Sequence, residues 1–165
     1  MTLNAVRKSR LARLLGFLAL FSMASVTLAA NVHFKREPTF NDQGQSLTST
    51  ISLTGLGNGD VTITLQVTGG ATYTLYNPAG GFVPGQNKIP IAASTTVVIP
   101  NKQIKNGNLT VTLTTPAPVA PPAKELGAPN NKWIAEIDDV LFATATITVV
   151  QGGQVVLSET FDLET

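Results

Sequence analysis

The feature that most constrains this chain is a two-residue rhythm of aliphatics and threonines. Leu47, Ser49, Ile51 and Leu53 alternate with Thr48, Thr50, Ser52 and Thr54. Val61, Ile63, Leu65 and Val67 alternate with Thr62, Thr64, Gln66 and Thr68, and Leu109, Val111 and Leu113 alternate with Thr110, Thr112 and Thr114. Successive side chains of a strand point to opposite faces, so each segment has one apolar and one hydroxyl-bearing face. Threonine is β-branched and polar, which suits the wet face of a half-buried strand. The pattern predicts antiparallel sheets with one face packed and one in water. Beyond Ala30 no stretch carries a helical stripe, so we read the chain as all-β, with eight or nine strands.

Turn chemistry supports this. Asn58-Gly59 and Asn106-Gly107 each precede a strand, and Asn-Gly accepts the positive φ at both central positions that a type I′ turn needs. The last hairpin is read as a three-residue loop, Gln151-Gly152-Gly153, with Gly153 left-handed as a bulge. That choice pairs Val149 with Val155 and Ile147 with Leu157 and keeps the aliphatics on one face. Pro100 to Asn106 is read as one short 3₁₀ turn. Residues 77–87 are turn-rich. Residues 116–131 hold five of the ten prolines and are expected to be an extended, irregular loop. The Pro118-Val119-Ala120-Pro121 it contains reads as a stiff loop. Two sheets packed face to face, an immunoglobulin-like β-sandwich, is the favoured architecture, with a small barrel as the alternative.

The first 30 residues do not fit that pattern. Arg7, Lys8, Arg10 and Arg13 precede the apolar run Leu14 to Val26, and Thr27-Leu28-Ala29 follows the small-x-small rule. This is the order of a secretory signal peptide, with cleavage expected after Ala29 or Ala30. The apolar run to Ala30 is about 17 residues, short for a membrane span. Residues 31–165 then form a single domain of roughly 135 residues, large enough for a core without staples. The chain has no Cys, so neither a disulfide framework nor a lipoprotein anchor is available to it. Export is expected to leave the domain secreted and free of the membrane.

Charge narrows the partners. With the four basic residues of the N-terminal segment set aside, seven Lys and Arg stand against ten Asp and Glu, a net charge of −3. A mildly acidic domain without clustered Lys or Arg is poorly suited to nucleic acid, whose binding is driven by counterion release. It is equally unsuited to an anionic membrane surface.

The candidate chemistry is sparse. His33 is the only histidine, with no Gly-x-Ser-x-Gly elbow and no Cys nucleophile in the sequence. Glu136, Asp138 and Asp139 form the densest acidic cluster. Two of them set across a cleft would suit glycoside hydrolysis, and together with carbonyls they would suit Ca²⁺. Neighbouring Asp residues on a strand face opposite ways, however, and a solvated bend or bulge at Asp138-Asp139, between one strand over residues 133–137 and another over 140–150, is the plainer reading. Gly55 to Gly59 is glycine-rich but leads into a strand, so it is turn chemistry and not a phosphate cradle. Tyr73, Tyr76 and Phe82 cluster around the first loop, with Trp133 as a fourth aromatic. Exposed, they would stack on sugar rings; buried, they are core. No cofactor is implied.

The stretches LTGLGNGDVTITLQVTGGATYTL, YNPAGGFVPGQN, IPNKQIKNGNLTVTLTT and KWIAEIDDVLFATATITVVQGGQVVL together resemble a group of small secreted bacterial β-sandwich proteins of unknown role. Members of that group often carry a Cys where Leu75 stands and another where Ala128 stands. If those two are bridged in the relatives, the resemblance implies that Leu75 and Ala128 are neighbours here. The functional expectation is a secreted, non-enzymatic domain with a structural, surface or interaction role and a protein or polysaccharide partner, its oligomeric state left open. A carbohydrate-binding module using the aromatics is the alternative, and a hydrolase using the acids at 136–139 the weaker one.

Overall fold

The computed structural model describes residues 31–163; the signal-peptide reading falls outside that range. Eight strands follow in chain order: β1 (His33–Asp42), β2 (Leu47–Thr54), β3 (Val61–Tyr76), β4 (Phe82–Pro84), β5 (Ile89–Ile99), β6 (Leu109–Thr114), β7 (Ile134–Gln151) and β8 (Gln154–Asp162). They form two antiparallel sheets. The smaller has the order β1-β2-β6. In the larger, β4 and β5 lie in succession along one edge of β3, followed by β7 and β8. The period-two faces close on each other: Ile51, Leu53, Val61, Ile63, Leu65, Val67, Ala145, Ile147 and Val149 are all completely buried in one core shared by both sheets.

The threonine faces look outward and pair across strands. Thr48–Thr114 at 2.8 Å, Thr64–Thr96 at 2.9 Å and Thr68–Thr144 at 2.7 Å are three of seven hydroxyl pairs among the described residues. Each is worth a few tenths of a kcal/mol up to about 1, and each holds only in the observed register. In the core, Ser49 is the exception: its Oγ is fully buried without a hydrogen-bond partner.

Two segments read as separate strands merge into β7, which runs from Ile134 to Gln151 without a break. The expected bulge at Asp138-Asp139 is present inside it. Thr72 pairs with Asp139 but Tyr73 with Ile137, leaving Asp138 as the extra residue; Ala143 is extra in the same way between Phe142 and Thr144. Each bulge shifts the alternation by one. The inward residues therefore change from Ala145, Ile147 and Val149 to Phe142 and Val140, and then to Ile137 and Ala135. Gly69 sits opposite the second bulge, where an added Cβ would lie 2.1 Å from the Leu141 carbonyl oxygen.

The turns bear out one expectation and correct two. Asn106-Gly107 has positive φ at both positions (51° and 72°) and is closed by the Lys105–Asn108 bridge. At Asn58-Gly59 only the glycine is left-handed, so the type I′ expectation fails there. The reason is topological: β2 and β3 belong to different sheets, and their connection must arch between layers. The last hairpin also turns on two residues, not three. Gln151 pairs with Gln154 across left-handed Gly152 and Gly153, and Val150 pairs with Val155. The extra residue lies further along, at Val156, so Val149 faces Leu157 and Ile147 faces Glu159. The bulge keeps Leu157 and Phe161 on the core side, as the alternation demands.

Strand length explains the rest. At about 3.3 Å per residue, β3 spans roughly 50 Å and β2 about half that, so the smaller sheet covers only part of the larger one. The inner face of the projecting arm is covered by the Pro-rich segment, whose Ala123–Leu126 forms a 3₁₀ turn not foreseen from the sequence. Tyr73, Leu75, Ala123 and Ala128 are buried there, with Trp133, Ala135, Ile89 and Leu126 packed around them. Leu75 and Ala128 thus share one small apolar cluster.

Candidate functional site

The outer face of the projecting arm carries the largest gathering of the residues singled out in the sequence. Register places Phe82 of β4, Tyr76 of β3 and Ile134 of β7 side by side in one row. Phe82 is 66% exposed and Ile134 62%. The rings of Tyr76 and Phe82 lie 6.4 Å apart at 45° to each other. The next row, in the same sense, is Pro84, Thr74 and Glu136. An apolar ledge is thus bordered by a polar, acidic row.

The sequence-named aromatics divide between the two faces of the arm. Tyr73 is buried in the inner cluster, and Gly85 lies so close over its ring that an added Cβ would meet the ring carbons. Trp133 is half-buried and packs on that same cluster. Only Tyr76 and Phe82 share the outer face, and they are tilted, so the four rings do not form a flat strip. Alternation accounts for this: Tyr73 and Tyr76 are three residues apart on β3 and must face opposite ways.

The acids are exposed, and the bulge leaves Asp138 and Asp139 together between inward Ile137 and Val140. The Thr74 hydroxyl donates to Asp138 Oδ2 at 2.9 Å. Asp139 lies beside Gly44 of the β1–β2 turn. That turn seats the bulge: Val140 N–H donates to the Gly44 carbonyl at 3.0 Å, and Gln45 Nε2 to the Ile137 carbonyl at 2.6 Å. Among the described residues no group of three or more His, Cys, Asp or Glu side chains gathers as metal ligands would. Glu136, Asp138 and Asp139 are not among such a group. His33 is exposed, its Nδ1 2.8 Å from the Asn31 carbonyl oxygen, far in sequence and in the sheets from these acids.

One further depression, about 140 Å³, lies on the outer face of the smaller sheet between Arg36, Glu37, Thr39, Thr50, Ser52 and Thr110. It opens where β1 bulges twice and is small beside a typical ligand pocket. The residue that sequence reasoning missed is Gln151. Beside Gly152-Gly153 it reads as a loop residue, yet it is 8% exposed and reaches across the layers, accepting from Gly57 N–H and donating to the Gly57 and Gly59 carbonyls. Its single polar side chain at the end of an aliphatic strand was the available signal.

No protein-family model matches this chain, and no curated protein matches it significantly.

Proposed function

We propose that this chain is a secreted, non-enzymatic β-sandwich of immunoglobulin-like order that works as an interaction module, meeting a protein partner through the Phe82–Tyr76–Ile134 row. Export is supported by the basic, apolar, small-residue order of residues 1–30. The immunoglobulin-like reading rests on strand order. Lettered from the N-terminus, β1-β2-β6 corresponds to A-B-E, and β3-β7-β8 to C-F-G with β5 in the C′ place. The interaction reading rests on one observation: two large apolar side chains more than half exposed on either side of a tyrosine, a surface of the kind that marks contact sites. The adjoining acids would favour a partner with basic residues beside its apolar anchor.

The carbohydrate reading keeps one supporting feature, the exposed Phe82 ring next to Tyr76. Both readings are tested by comparing the purified protein with a Phe82→Ser/Ile134→Ser double variant on a glycan array, on insoluble polysaccharides and on cell-envelope fractions. The first reading expects retention on envelope fractions that the double variant loses and that protease treatment of the fraction abolishes. Glycan binding lost on Phe82→Ser would favour the second. Retention unchanged in the double variant would overturn both.

A further inference from the structure

The sheets have several open edges, and all but one carry a device against pairing with another chain. On β1, Lys35, Arg36, Glu37 and Pro38 are interrupted by two register shifts. β8 has the Val156 bulge and carries Glu159 on its inward side. β6 has only six residues, and β4 three, with Pro84 among them. Charge, proline, bulges and shortness are the usual protections of an edge.

β5 has a proline only at its start, Pro90, and none of these from Ile91 to Ile99. It runs for 11 residues, IPIAASTTVVI, without a charged side chain and without a shift against β3 from Ile89↔Ala71 to Ile99↔Val61. Its inward residues Ile91, Ala93 and Val97 are only partly buried against the core, and outward Val98 is 59% exposed. The direction of its free backbone groups follows from the neighbouring strand. Gly85 N–H donates to the Tyr73 carbonyl, so odd-numbered residues of β3 turn their backbone groups toward the β4/β5 edge. The unbroken register then engages the odd residues of β5. Ala92, Ser94, Thr96 and Val98 present N–H and C=O groups away from the sheet, and among the described residues no backbone hydrogen bond to them is found.

We propose that this edge pairs with β5 of a second copy of the chain, antiparallel about a two-fold axis at Thr95. The strand is self-complementary in that register. Ala92 faces Val98 and Ser94 faces Thr96, so every outward N–H meets a carbonyl. Pro90 faces Pro100, and neither has an N–H to leave unpaired. Outward, Ser94 beside Thr96 repeats the hydroxyl pairing already used elsewhere on both sheets. Inward, Ile91 meets Ile99 and Ala93 meets Val97, completing apolar burial that a single copy leaves half done. No charge on the strand opposes the approach. Lys88 is folded over Gly70, and Lys102 is carried off the strand by the 3₁₀ turn Asn101–Gln103. The closed two-fold arrangement uses the same patch on both copies. This inference does not depend on the Phe82 row, so the two fail separately.

The absence of Cys from the chain makes the test clean. Residues facing each other in a non-hydrogen-bonded antiparallel pair have Cα atoms about 4.5 Å apart, within disulfide reach. Thr95→Cys is expected to yield a covalent dimer on mild oxidation, while Val97→Cys, on the same face but off the axis, is not. In sedimentation equilibrium across a dilution series, the unmodified protein is expected to associate. Ser94→Lys should weaken that association by about tenfold or more, and mixing it with Ser94→Glu should restore it. Circular dichroism of each variant establishes that it folds. A monomer at all concentrations, equal cross-linking of the two Cys variants, or association indifferent to Ser94→Lys would each overturn the proposal.

Discussion

Gln151 shows how much one polar side chain contributes when it is satisfied. Both ends of its amide are engaged on the Gly57–Gly59 backbone, in a region otherwise sealed by aliphatics. Replacing it with Ala leaves the Gly57 N–H and two carbonyls without their partner, so Gln151→Ala is expected to lower the unfolding free energy by about 2–3 kcal/mol, read from urea denaturation. Ser49 is the converse. Its hydroxyl is buried with no partner, so it already carries the desolvation cost that a hydrogen bond would offset. Ser49→Ala is expected to be neutral or stabilising by up to about 1 kcal/mol in the same measurement; a clear loss would mean that the hydroxyl has a partner after all. Neither role was legible in the sequence. Gln151 stood beside two glycines and read as a turn residue, and Ser49 read simply as one position in an alternating face.

At the scale of elements, alternation told strands from everything else but not where they stop or how many there are. Residues 133–137 and 140–150 read as two strands because the apolar phase changes between them. β7 is nevertheless continuous, because bulges at Asp138 and Ala143 absorb the phase change. A bulge is a single unpaired residue, and its sequence trace is a broken alternation that a strand end would leave equally well. The same ambiguity moved the last bulge from the turn to Val156. The neighbouring glycines provide a test. Gly69→Ala would drive a Cβ into the Leu141 carbonyl and is expected to cost about 2–3 kcal/mol. Gly70→Ala meets only the Lys88 side chain at 3.4 Å and is expected to be neutral or stabilising by up to about 1 kcal/mol. Equal effects of the two on the thermal midpoint would contradict the observed bulge.

For the whole molecule, the all-β class, the two layers and the buried faces of β2, β3 and β6 followed from the rhythm of aliphatics and threonines. The candidate site was legible only in part. Sequence proximity grouped Tyr73 with Tyr76 and Phe82, but alternation sends Tyr73 inward, and Ile134, distant in sequence, takes its place through the β3–β7 register. The consequence is a division of labour along the long strands. Their inner half builds the common core with the smaller sheet, and their outer half, covered beneath by the Pro-rich segment, holds the apolar row outward. Removing that cover should uncouple the arm: Ala128→Asp, which places a charge in the inner cluster, is expected to raise amide exchange at Tyr73 and Leu75 while leaving Ile63 and Val149 protected.

Residue-resolved amide hydrogen exchange on the unmodified protein bears most directly on the claim that β3 and β7 form one uninterrupted pair on which both the core and the exposed row depend. Protection is expected along β3 from Val61 to Leu75 and at the β7 amides that face β3 on both sides of the bulges at Asp138 and Ala143. A stretch of fast exchange throughout 134–140, as in a loop, would contradict it.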